Sequence, residues 1–286
     1  MTESTPYQEL TVPVPGGELA VLHWPAADPG APVVVAVHGI TANALAWAAA
    51  ARLLAGRVHL YAPDLRGRAA SRTVGGPYGL ARHADDVALL IAHLGAGPVR
   101  LVGHSMGAWV SALTAVRHPE AVERLLLVDG AVTFPLPEGV AEDDLLAAVL
   151  GPALARLSMT FPDREAYRAF WRQHPAMADW TAELDAYTQR DLVGEEPELT
   201  SSCVPEAVRL DGGQVLVDPE AAAAVRKLPC PAELLWAERG LLDEPQGLYD
   251  AGRIALADLP IPAAPVPDTN HYSIIATEAV AQRLLG

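Results

Sequence analysis

Lysine is almost absent from this chain: of its 20 cationic residues only Lys227 is one. A Schiff base therefore has a single candidate, and no Gly-x-x-x-x-Gly-Lys-Ser/Thr phosphate loop exists, so pyridoxal and P-loop chemistry are set aside. Positive charge is also scarce. Against 35 acidic residues the net charge is −15, a surface that repels phosphate backbones and anionic membranes, and no nucleic-acid partner is expected. The two cysteines, Cys203 and Cys230, stand in neither a CxxC nor a Cys/His ligand spacing. Neither a metal site nor a disulfide framework is expected, and a reducing compartment fits. No apolar run approaches the roughly 18 residues of a membrane span. The first residues, Met1 to Pro6, lack the basic and apolar regions of a signal peptide. A soluble cytoplasmic protein is expected.

With 286 residues, 51% of them hydrophobic, the chain can bury one large core. Short β-rich runs at 17–23, 32–38, 58–63, 99–103 and 124–128 alternate with helical spacing at 47–54, 80–94 and 106–118. Such alternation predicts an α/β fold with a mostly parallel central sheet and helices on both faces. The run at 32–38 is apolar at successive positions and should be central. From residue 134 the alternation stops. Helical patterns at 142–157, 163–174 and 177–192, rich in aromatics, are followed by a hairpin signal at 208–217 with Asp211-Gly212-Gly213 at its turn. Strand patterns resume at 232–236 and 264–266, and a helix is expected at 273–285. The predicted organisation is a core of 1–133 and 229–286 with a cap insertion at 134–228.

Gly103-His104-Ser105-Met106-Gly107 is a G-x-S-x-G sequence between an apolar strand pattern and a helical one. A serine on a sharp strand-to-helix turn is exposed to substrate, the glycines let strand and helix pass closely, and the helix N-terminus offers free N–H groups. Ser105 is the candidate nucleophile. His271 lies in a polar loop after the last strand signal and can serve as its base. Asp129, at the end of the strand beside the elbow, is the expected acid that orients it, with Asp243 and Glu238 as the alternatives.

The His38-Gly39-Ile40 loop, the segment Asp64-Leu65-Arg66-Gly67-Arg68-Ala69-Ala70-Ser71 and the Ser105 elbow follow one another in an order that resembles the α/β-hydrolase superfamily. The resemblance covers residues 8–133 and 229–286 and fades across the cap. It implies an oxyanion hole made by the backbone N–H groups of Ile40 and Met106, structural roles for Asp64 and Arg66, and no cofactor or metal. Ala69 stands where that family has a second glycine, and Gly240 stands where most members carry the acid. Some members take the acid from the strand end that Asp129 occupies. What the resemblance implies is a serine hydrolase acting on a carboxylic ester or lactone, the aromatic cap suggesting a small apolar or aromatic substrate. A thioesterase, a carbon-carbon bond hydrolase, a cofactor-free haloperoxidase or an acyltransferase would use the same residues, and a small-molecule receptor could be built on the same scaffold. Dehalogenase and epoxide hydrolase chemistry are disfavoured, because both place an aspartate at the position of Ser105.

Overall fold

The computed structural model describes residues 5–134, 144, 151 and 153–286. In chain order its elements are β1 (Gln8–Val14), β2 (Gly17–Trp24), β3 (Val33–Val37), α1 (Ala48–Leu54), β4 (His59–Pro63), α2 (Leu80–Leu94), β5 (Val99–His104), α3 (Met106–Arg117) and β6 (Val122–Val128). There follow α4 (Arg164–Arg172), α5 (Ala182–Arg190), β7 (Leu192–Val193), β8 (Thr200–Ser201), α6 (Pro205–Val217), α7 (Pro219–Ala224), β9 (Ala232–Ala237), α8 (Ala251–Ala257), β10 (Ala263–Val266) and α9 (Glu278–Leu285).

Eight strands form one sheet in the order β1-β2-β4-β3-β5-β6-β9-β10. The β1–β2 and β2–β4 pairings are antiparallel and the remaining pairings are parallel. The fold is thus the mostly parallel α/β sheet read from the sequence. Side chains alternate across a strand, so the unbroken apolar run of β3 feeds two cores at once. Val35 and Val37 enter the cluster shared with α2 and α3, while Val34 and Ala36 enter the one shared with α1 and α9. Burial on both faces is why this strand shows no polar alternation.

Three sequence expectations change. The segment at 208–217 is not a hairpin but part of α6. Pro205 stands in its first turn, and its buried residues Ala207, Val208, Asp211, Gly212 and Gly213 recur with helical spacing. The side-chain-free glycines sit on the face turned inward, so a turn-like sequence serves close helix packing. The expected helix at 273–285 is broken: a short 3-10 turn (Ser273–Ala276) precedes α9, whose N-cap is Thr277. The edge strand β1 adds to the strands the sequence indicates. Of the helix expected at 142–157, residues 142–143, 145–150 and 152 lie outside the described residues, while 153–157 are helical.

Between β6 and β9, α4 and α5 surround an aromatic core of their own built from Phe161, Tyr167 and Trp171, with Phe170, Trp180 and Tyr187 against it. This cluster is tied to the sheet domain by Arg190 on Asp64, Arg52 on Glu183, and the Asn43 amide on the Tyr187 carbonyl. In contrast, Ala221 and Ala224 of α7 belong to the same core as α2 and α3. No helix among the described residues is long and apolar enough to cross a membrane.

Candidate active site

At the carboxyl end of β5 the chain turns straight into α3 through Ser105, whose φ of 54° and ψ of −128° are sterically costly for any residue with a Cβ. Close backbone approach holds it there. A Cβ at Gly103 would overlap the Gly107 carbonyl, one at Gly107 would overlap the Val37 carbonyl, and one at Gly130 would overlap the Ser105 carbonyl. The Ser105 N–H donates to the Val128 carbonyl at 2.9 Å, which locks the elbow to the neighbouring strand end. His104 and Met106 are buried, while Ser105 between them is partly exposed. Gly107→Ala is expected to lower stability by about 3 kcal/mol, since backbone rather than a flexible side chain must move. A urea midpoint equal to that of the parent would show that the elbow has slack.

Asp129 lies just past β6, in register with the residue after β5, and is fully buried with φ 47°. Its Oδ1 accepts the Ala237 N–H at 3.1 Å, and its Oδ2 accepts from His271 Nδ1 at 2.6 Å. The bond puts the imidazole proton on Nδ1 and leaves Nε2 as the free base. Asp243 goes elsewhere, to Arg239 and, at 3.0 Å, to the Asn270 amide. Glu238 accepts the Asp268 N–H at 3.3 Å. The two alternative carboxylates thus brace the loop that carries His271, and Asp129 alone of the three meets its ring.

His104, the residue before Ser105, also serves this loop. Its Nε2–H donates to the His271 carbonyl at 2.7 Å, with the rings 4.7 Å apart. Burial, then the neighbouring His271, holds its pKa well below the usual histidine value, so it stays neutral.

The His-Gly loop is pinned from below. His38 Nδ1–H donates to the Gly39 carbonyl at 2.7 Å, and its Nε2 accepts the Leu65 N–H at 2.9 Å. The Ala42 N–H reaches the same Gly39 carbonyl at 3.2 Å. Carbonyl and N–H point opposite ways across a trans peptide, so fixing that carbonyl inward turns the Ile40 N–H outward. The loop lies against Ser105, a Cβ on Gly39 falling 3.6 Å from its Oγ. Met106 opens α3, so its N–H has no partner within the helix. The Ile40 carbonyl accepts from Arg68 Nε at 3.0 Å, and Arg68, fully buried, pairs with Asp211 of α6 at 2.6 Å. The sequence offered no signal for Arg68, because its partner comes from a distant helix.

Asp64 and Arg66 sit beneath this machinery. Asp64 accepts the Ala44 and Ala70 N–H groups and two bonds from Arg190, and Arg66 forms a fully buried fork on Asp86. Ala69 adopts φ 41°, the left-handed conformation that a glycine would take without strain. No group of three or more metal-ligating side chains occurs among the described residues.

Burial pushes the His38 pKa down to about 3 from 6.5. The unfolded chain takes up this proton below pH 6.5 and the folded chain does not. Stability from His38 is therefore complete above pH 6.5 and lost as pH falls toward 3, with His104 acting in the same direction. Urea midpoints should be level above neutrality and decline steadily from pH 6.5 to 4.5; a flat profile over that range would contradict the assignment of buried neutral histidines.

Residues 32–249 match the family model described as alpha/beta hydrolase fold. An uncharacterized protein of Mycobacterium tuberculosis is 28% identical over 198 residues, 57% of this chain and 58% of that protein. The match thus spans less than two thirds of that relative's length. The 2-(acetamidomethylene)succinate hydrolase of Mesorhizobium japonicum is 28% identical over 245 residues, 84% of this chain and 82% of that one. A crystal structure of E-2-(acetamidomethylene)succinate hydrolase superposes with a TM-score of 0.78 over 97% of each chain, at 22% identity, which is a likeness of fold.

Proposed function

This chain belongs to the alpha/beta hydrolase family, and we propose that within it the chain is a serine hydrolase that cleaves a carboxylic ester, or a lactone as its cyclic form, through an acyl-enzyme on Ser105. The observation that carries the reading is the buried 2.6 Å bond between His271 Nδ1 and Asp129 Oδ2, formed beside the strained elbow. His271 Nε2 takes the Ser105 proton as Oγ attacks the carbonyl carbon. The Ile40 and Met106 N–H groups receive the developing oxyanion, helped by the positive end of α3. Asp129 stabilises the imidazolium, which then hands its proton to the departing alkoxide. Water, activated in turn by His271, releases the acid and restores Ser105.

In this reading 134–228 is a cap that bounds the substrate, its 153–204 part carrying the aromatic core and α6 and α7 returning to the sheet domain. The enzyme acts in the cytoplasm on a small apolar or aromatic molecule and uses no cofactor. One further substrate type is favoured by a specific finding: the Mesorhizobium relative, which spans 84% of this chain, is named for an acetamido-bearing substrate, so an amide could stand in place of the ester. Fluorophosphonate labelling of Ser105, followed by a panel of esters, lactones and N-acyl compounds, tests both. Labelling with turnover supports the serine mechanism and the panel selects the bond. Absence of labelling and turnover from the intact chain favours a receptor on the hydrolase scaffold.

A further inference from the structure

Three neighbouring residues of the cap each carry a buried polar atom with no hydrogen-bond partner among the described residues. Arg156 is 2% exposed. Its Nη1 is shared by the Asp191 carboxylate, the Tyr167 hydroxyl at 2.8 Å and the Ser201 hydroxyl at 3.1 Å, while Nη2 has no partner among the described residues. The guanidinium carbon stands 5.1 Å from the centre of the Trp171 ring, whose Nε1 is equally buried and meets no partner at normal hydrogen-bond distance and angle among the described residues. Trp171 lies 5.7 Å from His174, whose Nδ1 is the third such atom. His174 packs edge-on against Tyr272 at 5.4 Å, and Tyr272 follows His271 in the chain and lies 5.5 Å from its ring. The cluster therefore belongs to the part of the cap that rests on the catalytic loop.

Buried polar groups are nearly always satisfied, so three on neighbouring residues call for a group that completes them when the site is filled. The Arg156 and Trp171 nitrogens only donate, so the complementary group is an acceptor. Charge selects between acceptors. Arg156 already faces Asp191, a carboxylate that also accepts from Tyr167, Ser201 and Ser202. His174 is held neutral by burial and by Arg156. A second carboxylate would meet Asp191 across one guanidinium, whereas a neutral oxygen meets no such repulsion.

We infer that Arg156, Trp171 and His174 form a subsite for an uncharged hydrogen-bond-accepting oxygen of the substrate, a second carbonyl or an ether oxygen apart from the scissile group. This rests on the serine-hydrolase reading and names its substrate class. The test is calorimetric binding to the full Ser105→Ala chain of phenyl hexanoate, its oxo-hexanoate isomers and the phenyl half-ester of adipic acid. Binding is repeated after adding Trp171→Phe, which removes the indole N–H together with part of the ring, or Arg156→Lys, which keeps a cation opposite Asp191. The best oxo isomer should bind about tenfold tighter than the hexanoate, falling to about twofold in either variant. Equal binding of the oxo and plain esters would overturn the subsite. So would a preference that survives Trp171→Phe, which stands as the deciding variant if Arg156→Lys does not fold. Tightest binding of the adipate half-ester would overturn it in favour of a carboxylate pocket. Fluorophosphonate labelling of the parent chain is read separately: its failure strikes the serine reading and leaves the binding preference to stand or fall alone.

Discussion

Ser105→Ala is expected to remove ester turnover by a factor on the order of 10⁵ to 10⁶, together with all fluorophosphonate labelling, while leaving the urea midpoint within error of the parent. The loss is large because His271 and Asp129 have no task without the oxygen they activate, so one deletion disables the whole unit. Stability should hold because the turn is shaped by Gly103, Gly107 and Gly130 and by the Ser105 N–H on Val128, none of which involves the side-chain oxygen. Initial rates on a short-chain nitrophenyl ester and chemical denaturation of the same preparation decide the matter. Turnover within tenfold of the parent would remove Ser105 from the mechanism.

Asp129→Asn is expected to lower kcat by about 10⁴, whereas Asp243→Asn should cost no more than a few-fold. The asparagine oxygen can still accept the Ala237 N–H, which keeps the side chain in place. Its amide nitrogen then faces His271 Nδ1 and donates to it. The imidazole proton is forced onto Nε2, the atom that must be free to take the Ser105 proton, and the negative partner of the imidazolium is gone as well. Among the described residues the Asp243 carboxylate bonds to Arg239 and the Asn270 amide and not to His271, so its variant perturbs the loop without changing the tautomer. Kinetics on both purified variants are the check, and a severe loss in Asp243→Asn with a mild one in Asp129→Asn would reverse the assignment of the acid.

Much of this was legible in the linear chain because it is local. The unbroken apolar run of β3, the helical spacing of α2 and the G-x-S-x-G turn each depend on residues a few positions apart, and their conformational reasons act at that range. The Asp211-Gly212-Gly213 sequence misled for the converse reason: it favours a hairpin turn in isolation, but the tertiary contacts of α6 draw Asp211 to Arg68 and place the glycines at a packed helix face. The acid shows the division most sharply. Asp129, Asp243 and Glu238 are equally carboxylates, and all stand near strand ends where a partner for His271 could lie. Which of them meets it depends on β6 lying between β5 and β9, and on the path of a loop 142 residues further along the chain. Strand order and loop path are properties of the closed sheet, set by packing over the whole core, and no local window of sequence contains them.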